Sequence, residues 1–346
     1  MDDIRECIGC NICYAHDGLG APIRCTQNPT MGEEWRRGWH PERVPAVIGK
    51  VDPVLVVGAG PAGLEAALTL GRRGVQVLLA EADAQAGGRV NRESRLPGLS
   101  EWARVRDWRL HQISKLPNVE LFPASRMAVQ DVLDTGVAHA LIATGSHWRG
   151  NGRGRSFPGG VASYANPRTL TPDQVLDGTR PKGPLVIFDD EGYHIAAGLA
   201  DLLAAEGLDV TYVASAGLVA EWSSYTVEQA RLQARLIEQG VKIITSHLVS
   251  GLTADAAQLT CAFTGRMSHI ACGGFIPITS REPDDALWLA LQGRGLTTLE
   301  RIGDAKAPGL IAHAVHDGHR AGRGHLSTPD SMTVQRERVI LERSAR

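Results

Sequence analysis

The spacing of four cysteines near the start of the chain restricts what this segment can form. Three of them lie within seven residues and the fourth follows across a Gly/Pro loop, in the pattern C-x2-C-x2-C-x11-C formed by Cys7, Cys10, Cys13 and Cys25. Four thiolates converging on one compact group are what a [4Fe–4S] cluster requires. Structural zinc sites usually take their cysteines as two separated pairs, so zinc and unliganded thiols are the alternatives. The pattern therefore predicts an iron–sulfur segment over residues 1–50.

A glycine-rich turn follows a proline-bounded linker. The strand-like run Val54–Val57 leads into the G-x-G-x-x-G motif Gly58–Gly63, then a helical pattern, and then a second apolar run that ends at Glu81. Glycines in this context permit a tight turn, close approach of the backbone to a pyrophosphate and close helix–strand packing. An acid at the end of the second strand accepts hydrogen bonds from a ribose. The motif therefore predicts a dinucleotide-binding site.

A second strand–helix–strand unit, residues 185–214, has lost these glycines. Asp189, Glu191 and His194 stand at the three glycine positions, and no acid or base follows the second strand at Ser215. Carboxylates at the mouth of a helix repel a pyrophosphate and occupy the N–H groups that it needs. We predict that the fold is retained here and that an NAD(P) site is not.

Charged and histidine-rich stretches elsewhere have simpler interpretations. The helix-like segment over residues 101–115 carries arginines and tryptophans on mixed faces, which favours a solvated or partner-facing helix. Three later histidines follow one another at intervals of three residues, so only adjacent pairs of them share a helix face. We interpret all three as surface residues: His313, His316 and His319. The polar residues 326–346 are predicted to form an extended tail.

Charge and hydropathy exclude several classes of partner. The formal net charge is −2, which gives no electrostatic footprint for nucleic acid. The longest apolar runs are of strand length, far short of a membrane span. The first residues, MDDIRE, lack the apolar core of a secretory signal, and six cysteines without such a signal favour thiol chemistry in a reducing compartment. We expect a cytoplasmic protein.

The motifs CIGCNIC, VVGAGPAGLEAA, GGRVN, LPGLSEW, IATG and IGDAKAPGLI occur together and in order. In this combination the chain resembles, from about Asp3 to Arg323, the C-terminal portion of the trimethylamine dehydrogenase and histamine dehydrogenase group, relatives of 2,4-dienoyl-CoA reductase. The resemblance implies an α/β fold with two Rossmann-like domains of the FAD/NAD(P)-linked reductase type. An FAD- or ADP-binding domain would span residues 51–150 and 295–325, and a degenerate NAD(P)-like domain, residues 151–294, would be inserted in it.

The resemblance also implies roles for individual residues. It places the [4Fe–4S] cluster on the four cysteines, and it aligns Trp222 with an aromatic residue at the docking groove for electron-transferring flavoprotein. Arg281 matches a T-G-R turn of the family in which Ser280 replaces the glycine. The residues assigned to the FAD site, with ADP as the alternative ligand, are Gly58, Gly60, Pro61, Ala62, Gly63, Glu81, Ala82, Gly88, Arg89, Thr144, Gly145, Gly303 and Asp304.

One departure from the family pattern shapes the functional expectation. The FMN-bearing (β/α)8 barrel that oxidises substrate in the family is absent from this sequence, which is then either a separately encoded subunit or an excised fragment. We expect an oxidoreductase component, an electron-transfer subunit of a hetero-oligomeric amine dehydrogenase or demethylase. It would pass electrons from FMN on a partner barrel, through the cluster, to an acceptor such as electron-transferring flavoprotein. An NAD(P)H-dependent reductase component and a non-catalytic ADP-binding assembly subunit are the alternatives.

Overall fold

The computed structural model describes residues 3–49 and 51–327. The strands in these residues are β1 Val54–Val57, β2 Val77–Ala80, β3 Val119–Phe122, β4 His139–Ile142, β5 Ser146–Trp148, β6 Leu185–Asp189, β7 Val210–Ala214, β8 Lys242–Ile244, β9 His247–Leu252, β10 Ala256–Cys261, β11 Met267–Ala271, β12 Gly274–Ile278, β13 Arg281–Pro283 and β14 Thr298–Arg301. The α-helices are α1 Ile12–Gly18, α2 Glu34–Arg37, α3 Pro61–Arg72, α4 Val90–Glu93, α5 Arg104–Ile113, α6 Val129–Asp134, α7 Pro172–Leu176, α8 His194–Ala205, α9 Gln229–Glu238, α10 Ala286–Leu291 and α11 Ile311–Gly324. Short 3₁₀ turns lie at Ser100–Ala103, Ala162–Tyr164, Glu221–Ser224 and Gly303–Ala305.

Two parallel sheets form the centre of the molecule. Their strand orders are β14-β4-β1-β2-β3 and β12-β6-β7-β8. Strands β1, β4, β6 and β7 are buried along their whole length, which is the pattern of parallel strands covered on both faces. Strand β14 pairs with β4, so the chain returns to the first sheet after it has formed the second. These sheets confirm the predicted α/β class.

Two small antiparallel sheets complete the strand pattern in the described part of the chain. Strands β9, β10 and β11 form a meander with a register shift between Gln258 and Leu259. Strand β5, which follows the first sheet's β4, pairs with β13, which follows the second sheet's β12. This pairing sets Ser146 opposite Pro283 and Arg281 opposite Trp148, and it therefore joins the two places where the chain passes between the sheets.

Helix α11 packs closely on α3 because glycines remove side chains at the contact. A Cβ on Gly318 would lie 2.1 Å from the carbonyl oxygen of Ala62, and a Cβ on Gly303 would lie 2.5 Å from the Cβ of Ala62. Gly303 also has a φ of +60°, a conformation that favours glycine. This packing brings the segment Gly303–Ala305 beside the start of α3.

The sequence prediction is wrong about burial in two helices. The segment expected to be solvated or partner-facing is a 3₁₀ turn followed by α5, in which Trp102, Trp108 and Arg109 are buried within the chain. Of the three histidines expected at the surface, His313 is exposed but His319 is only 3% exposed. Both errors have one cause, since α5 and α11 pack against α3 and the pattern within a single helix does not reveal a neighbour that is distant in sequence.

From residue 328 onward, the predicted tail lies outside the described residues. The predicted boundaries at residues 50, 150 and 294 stay predictions. Among the described helices, none is long and apolar enough to cross a membrane.

Candidate functional site

The glycines of the turn between β1 and α3 have different structural roles. A Cβ on Gly58, whose φ is +100°, would lie 2.4 Å from the carbonyl oxygen of Ala143, and a Cβ on Gly63 would lie 1.8 Å from the carbonyl oxygen of Gly58. A Cβ on Gly60 would meet only the Cα of Gly88, at 3.9 Å. The first and third glycines are therefore required by the fold, whereas the second leaves open space where a ligand can approach the backbone.

A cavity of about 590 Å³ opens in front of this turn. The predicted cofactor residues that line it are Gly58, Gly60, Pro61, Ala62, Glu81, Ala82, Gly88, Arg89, Thr144, Gly145 and Asp304. Gly63 and Gly303 do not line the cavity, because both lie behind it in contacts with Gly58 and Ala62. The cavity is open at the backbone of Gly60 and acidic at Glu81, which fits the adenosine diphosphate part of a dinucleotide.

Glu81 is held in place by the turn itself. Its side chain is 6% exposed. Oε2 accepts a hydrogen bond from the backbone N–H of Ala59 (2.7 Å), and Oε1 accepts one from the N–H of Asp83 (2.9 Å). The carboxylate therefore lies at the carboxyl end of β2 with a fixed orientation toward the cavity, where a ribose hydroxyl can donate to it.

Asp304 lies at the other end of the cavity in a network of charges. Its carboxylate accepts hydrogen bonds from Arg281 Nη1 (2.5 Å), Ser146 Oγ (3.1 Å) and the N–H of Gly309 (3.1 Å), and Arg89 Nε lies 3.6 Å away. Burial acts to raise the pKa of Asp304, but the two guanidinium groups outweigh it and hold this pKa below its usual value. Asp304 is therefore an ionised acceptor.

Several residues of the cavity wall were not found by sequence reasoning. They follow β3 or β13, begin β5, or lie near the glycine pair Gly87–Gly88, and are Asp83, Gln85, Asn91, Arg92, Ser125, Arg126, Met127, Ser146 and Asp284. Strand β3 is short, and its residues alternate between half-buried and exposed, so no strong apolar run marks it. The pairing of β3 with β2 in the parallel sheet is what brings Ser125–Met127 to the cavity, and this pairing has no local signal in the sequence.

At the second motif, where the three glycine positions are lost, the carboxylate of Asp189 takes a backbone N–H group of the turn. Asp189 Oδ1 accepts from the N–H of Gly192 (2.7 Å), and its other oxygen accepts from the hydroxyl of Tyr212. Asp190 accepts from the N–H (2.9 Å) and the hydroxyl (2.5 Å) of Ser156. Burial raises the pKa of Asp189 to about 6. The prediction that this motif binds no NAD(P) is supported by these contacts and stays a prediction.

A small chamber lies between the two motifs. It is lined by the aromatic rings of Trp102 and Tyr193, by the ion pair Arg89–Glu93, and by Glu191 and Arg281. Glu191 Oε2 and the hydroxyl of Tyr193 are buried without a hydrogen-bond partner. Burial is the main cause that raises the pKa of Glu191 to about 7, although Arg281 acts in the opposite direction.

The raised pKa of Glu191 gives a testable dependence of stability on pH. Because its pKa is about 7 in the folded chain and 4.5 ordinarily, the folded state loses stability as pH rises through this interval. We expect Glu191→Gln to increase the free energy of unfolding by roughly 2–3 kcal/mol more at pH 8 than at pH 5. Denaturant titrations at both pH values measure this, with Glu120→Gln at an exposed position of β3 as the control. Equal effects of the two variants at both pH values would contradict the assignment.

The four predicted cluster cysteines are free thiols on one short segment. Cys7 is exposed, and the other three are partly buried around α1. The N–H of Gly9 donates to the sulfur of Cys7 (3.4 Å), and the N–H of Asn28 donates to the sulfur of Cys25 (3.3 Å). Burial raises the pKa of Cys10, and the neighbouring Cys25 and Cys13 raise it further against a hydrogen bond from Thr26.

The chemistry of the donor set in this segment fits a cluster. No group of three or more His, Cys, Asp or Glu side chains is arranged to hold a metal ion in residues 3–49 and 51–327. Four free thiols, two of them already accepting backbone N–H groups, are nevertheless the ligands and the hydrogen bonds that iron–sulfur clusters use.

Trp222 lies in a turn that contacts the cysteine segment. Its ring packs edge-on against Tyr193 with ring centroids 4.8 Å apart. The backbone N–H of Trp222 donates to the carbonyl oxygen of Gly192 (2.9 Å). In the same turn, the carbonyl oxygen of Thr226 accepts a hydrogen bond from Asn11 Nδ2 (2.8 Å). Asn11 lies between Cys10 and Cys13, so the turn and the cysteines share one region of the molecule.

The parallel sheets, the glycine turn and the cavity form a dinucleotide-binding architecture of the α/β class. The chain belongs to the pyridine nucleotide-disulphide oxidoreductase family, whose model matches residues 52–303. This membership implies a flavin of the FAD type as the cofactor class.

Three relatives are similar to this chain in sequence or structure. Dimethylamine dehydrogenase from Hyphomicrobium sp. (strain x) is 37% identical over 359 residues, which cover 93% of this chain and 48% of that protein. A probable N-methylproline demethylase from Rhizobium meliloti (strain 1021) is 33% identical over 217 residues, 60% of this chain and 29% of that protein. The structure of histamine dehydrogenase from Rhizobium sp. 4-9 has a TM-score of 0.91 at 44% identity, covering 95% of this chain and 52% of that one.

These comparisons support an amine-oxidising flavoprotein family. The chain spans about half the length of dimethylamine dehydrogenase and of histamine dehydrogenase.

Proposed function

We propose that this chain is the electron-transferring component of an iron–sulfur flavoprotein dehydrogenase that oxidises an amine or an N-methylated compound. The observation that carries the proposal is the contact between a four-cysteine segment and a dinucleotide-binding fold, made through Asn11 and Thr226 on one side and Gln27 and Arg109 on the other. Homology to amine dehydrogenases supports the substrate class.

In this proposal the cavity holds FAD, or ADP as the alternative. The backbone at Gly60 and the start of α3 bind the pyrophosphate, Glu81 accepts from the ribose, and Arg89 and Asp304 orient the part of the ligand beyond the phosphates. Asp304 is already bonded to Arg281 and Ser146, which favours a ligand that ends near this point. Because of these contacts of Asp304, ADP is the alternative ligand to FAD.

Cys7, Cys10, Cys13 and Cys25 would hold the [4Fe–4S] cluster, which supplies one-electron transfer between flavin and acceptor when bound. The chain's own task is to fix these thiolates, to donate N–H groups to their sulfurs and to limit their exposure to water. Substrate oxidation is assigned to FMN on a (β/α)8 barrel, as the resemblance to the trimethylamine dehydrogenase and histamine dehydrogenase group implies; the chain spans about half the length of dimethylamine dehydrogenase and of histamine dehydrogenase.

Native capture of the chain tests this assignment to a hetero-oligomer. We expect an FMN-containing protein to be captured with it, and we expect an amine or N-methylated compound to reduce an added acceptor only when both proteins are present. Capture of the chain without any FMN protein, together with amine-dependent reduction that does not need this chain, would contradict the proposal.

Trp222 is proposed as a contact for the electron acceptor, electron-transferring flavoprotein or a protein like it. Aromatic residues at such contacts contribute strongly to binding, so Trp222→Ala is expected to raise the KM for the acceptor about tenfold, or about 1.4 kcal/mol. Phe263→Ala, at an aromatic side chain that is 85% exposed in the β10–β11 hairpin, is the matched control. Equal KM values for the two variants in steady-state assays would rule out Trp222 as a contact.

The two rival functions have their own signatures. A reductase fed by NAD(P)H would show stoichiometric FAD reduction by NADH, which the carboxylates at the second motif oppose. An assembly subunit that binds ADP would carry a cluster that neither substrate nor dithionite reduces, and its removal would leave the partner's activity unchanged.

A further inference from the structure

A fully buried arginine lies between the nucleotide-binding helix α3 and the cysteine segment. Arg109 has 0% exposure, and its Nε donates to Glu65 Oε2 (2.8 Å). Nη1 donates to the carbonyl oxygen of Val105 (2.8 Å) and to Gln27 Oε1 (3.2 Å), and Nη2 donates to the carbonyl oxygen of Gln27 (2.9 Å). A charge is stable in such a place only if it is paired and its donors are satisfied, so this arrangement is specific.

On the cysteine side, the hydrogen bonds of Arg109 fix the residues that follow Cys25. Gln27 is 3% exposed, and its Nε2 donates to the carbonyl oxygen of Arg104 (3.4 Å). The next residue, Asn28, gives its N–H to the sulfur of Cys25. Helix α5 therefore holds the loop of the fourth cysteine through Gln27.

On the nucleotide side, the same guanidinium holds α3 and, through Glu65, α11. Glu65 Oε1 accepts from His319 Nδ1 (2.8 Å), and His319 Nε2 accepts from Arg323 Nε (2.7 Å), so the imidazole is neutral with its proton on Nδ1. Burial acts to raise the pKa of Glu65, but Arg109 beside it lowers this pKa to about 2. The pair is thus a carboxylate and a guanidinium, both buried.

We propose that Arg109 is a positioning residue that holds the Cys25 loop against the nucleotide-binding helix and whose charge raises the reduction potential of the group bound by the cysteines. The guanidinium lies between Glu65 and Gln27, so the ion pair turns its positive end toward the cysteine segment, and a nearby positive charge stabilises the more negative redox state. Cys25 is two residues before Gln27, whose carbonyl oxygen accepts a hydrogen bond from Arg109 Nη2. This inference rests on the proposed function, because it takes the four cysteines to be cluster ligands.

The test compares the wild-type chain, reconstituted with iron and sulfide, with the double variant Glu65→Gln/Arg109→Gln. Both charges are removed together so that neither is left buried alone. The reduction potential of the cluster is expected to fall by the equivalent of a tenfold change in its reduction equilibrium, about 59 mV for a one-electron couple. The single variant Arg109→Lys, which keeps the charge beside an intact Glu65, is expected to retain most of the wild-type potential. The control, Arg180→Gln/Glu206→Gln, removes a bidentate pair whose side chains are 40% and 34% exposed, and it is expected to leave the potential unchanged.

The outcomes separate this inference from the proposed function. A wild-type potential in the double variant overturns the role of Arg109 and leaves the cluster assignment intact, whereas a wild-type chain that takes up no iron overturns the proposed function itself. Should the double variant not fold, Gln27→Leu keeps the ion pair and removes the side-chain contact. Release of iron to a chelator at least tenfold faster than in the wild type supports the role of the Gln27 contact, and release at the wild-type rate overturns it.

Discussion

A Cys7→Ala variant is expected to lose the cluster and all electron transfer to the external acceptor, while it binds nucleotide as the wild type does. Cys7 is the exposed one of the four proposed ligands, so its loss would leave one iron of the proposed cluster without a protein ligand and open to water. The cavity lies in a different part of the chain, and Cys7 does not line it. We expect iron content and acceptor reduction to fall at least about 100-fold, with an unchanged dissociation constant for ADP.

The control for this experiment is Cys261→Ala. Cys261 is also a free thiol, but it lies at the end of β10, far in sequence from the four-cysteine segment. Iron analysis, visible absorption and acceptor reduction should all match the wild type in this variant. Acceptor reduction at the wild-type rate in Cys7→Ala would refute the assignment of the cluster to these cysteines.

Gly60→Val is expected to abolish nucleotide binding in a chain that still folds. Gly60 has an extended backbone (φ −74°, ψ −175°), which a β-branched residue adopts readily, and its nearest neighbour in the direction of a Cβ is 3.9 Å away. The added side chain would occupy the space where the backbone approaches a pyrophosphate. We expect ADP affinity, measured by calorimetry, to fall at least about 100-fold, with a loss of about 1 kcal/mol in the free energy of unfolding.

Gly58→Ala provides the contrast, because its Cβ would lie 2.4 Å from the carbonyl oxygen of Ala143 on a backbone with φ +100°. This variant should be destabilised by more than about 3 kcal/mol, as expected for a backbone clash combined with strain. If Gly60→Val binds ADP normally, the cavity is not the nucleotide site, and equal instability of the two variants would contradict the open space inferred at Gly60.

Local patterns in the sequence predicted the first strand–turn–helix unit well. The strand Val54–Val57, the glycine turn and the helix after it each depend on neighbouring residues in the chain, and Gly58, Gly60 and Glu81 line one cavity. At the second motif, the carboxylate of Asp189 takes the backbone N–H of Gly192, as expected for a carboxylate at a lost glycine position. In both cases the deciding contacts are within a few residues or between adjacent strands.

The errors all concern contacts between segments that are distant in sequence. Arg109 is 44 residues from its partner Glu65, and His319 is 254 residues from the same carboxylate. A charged residue on a helix with mixed faces is usually solvated, so nothing local distinguishes Arg109 from its exposed neighbours. Strand β3 and the cavity residues after it were missed for a related reason, because pairing with β2 and not apolar content holds β3 in the sheet.

The most direct test is the content and redox state of the purified, anaerobically reconstituted chain. The account predicts about four iron and four sulfide per chain, about one FAD or ADP, and, after reduction with dithionite, the electron paramagnetic resonance signal of a reduced [4Fe–4S] cluster. Stoichiometric zinc, or iron that binds without giving a reducible cluster, would contradict the central claim that this chain carries electrons.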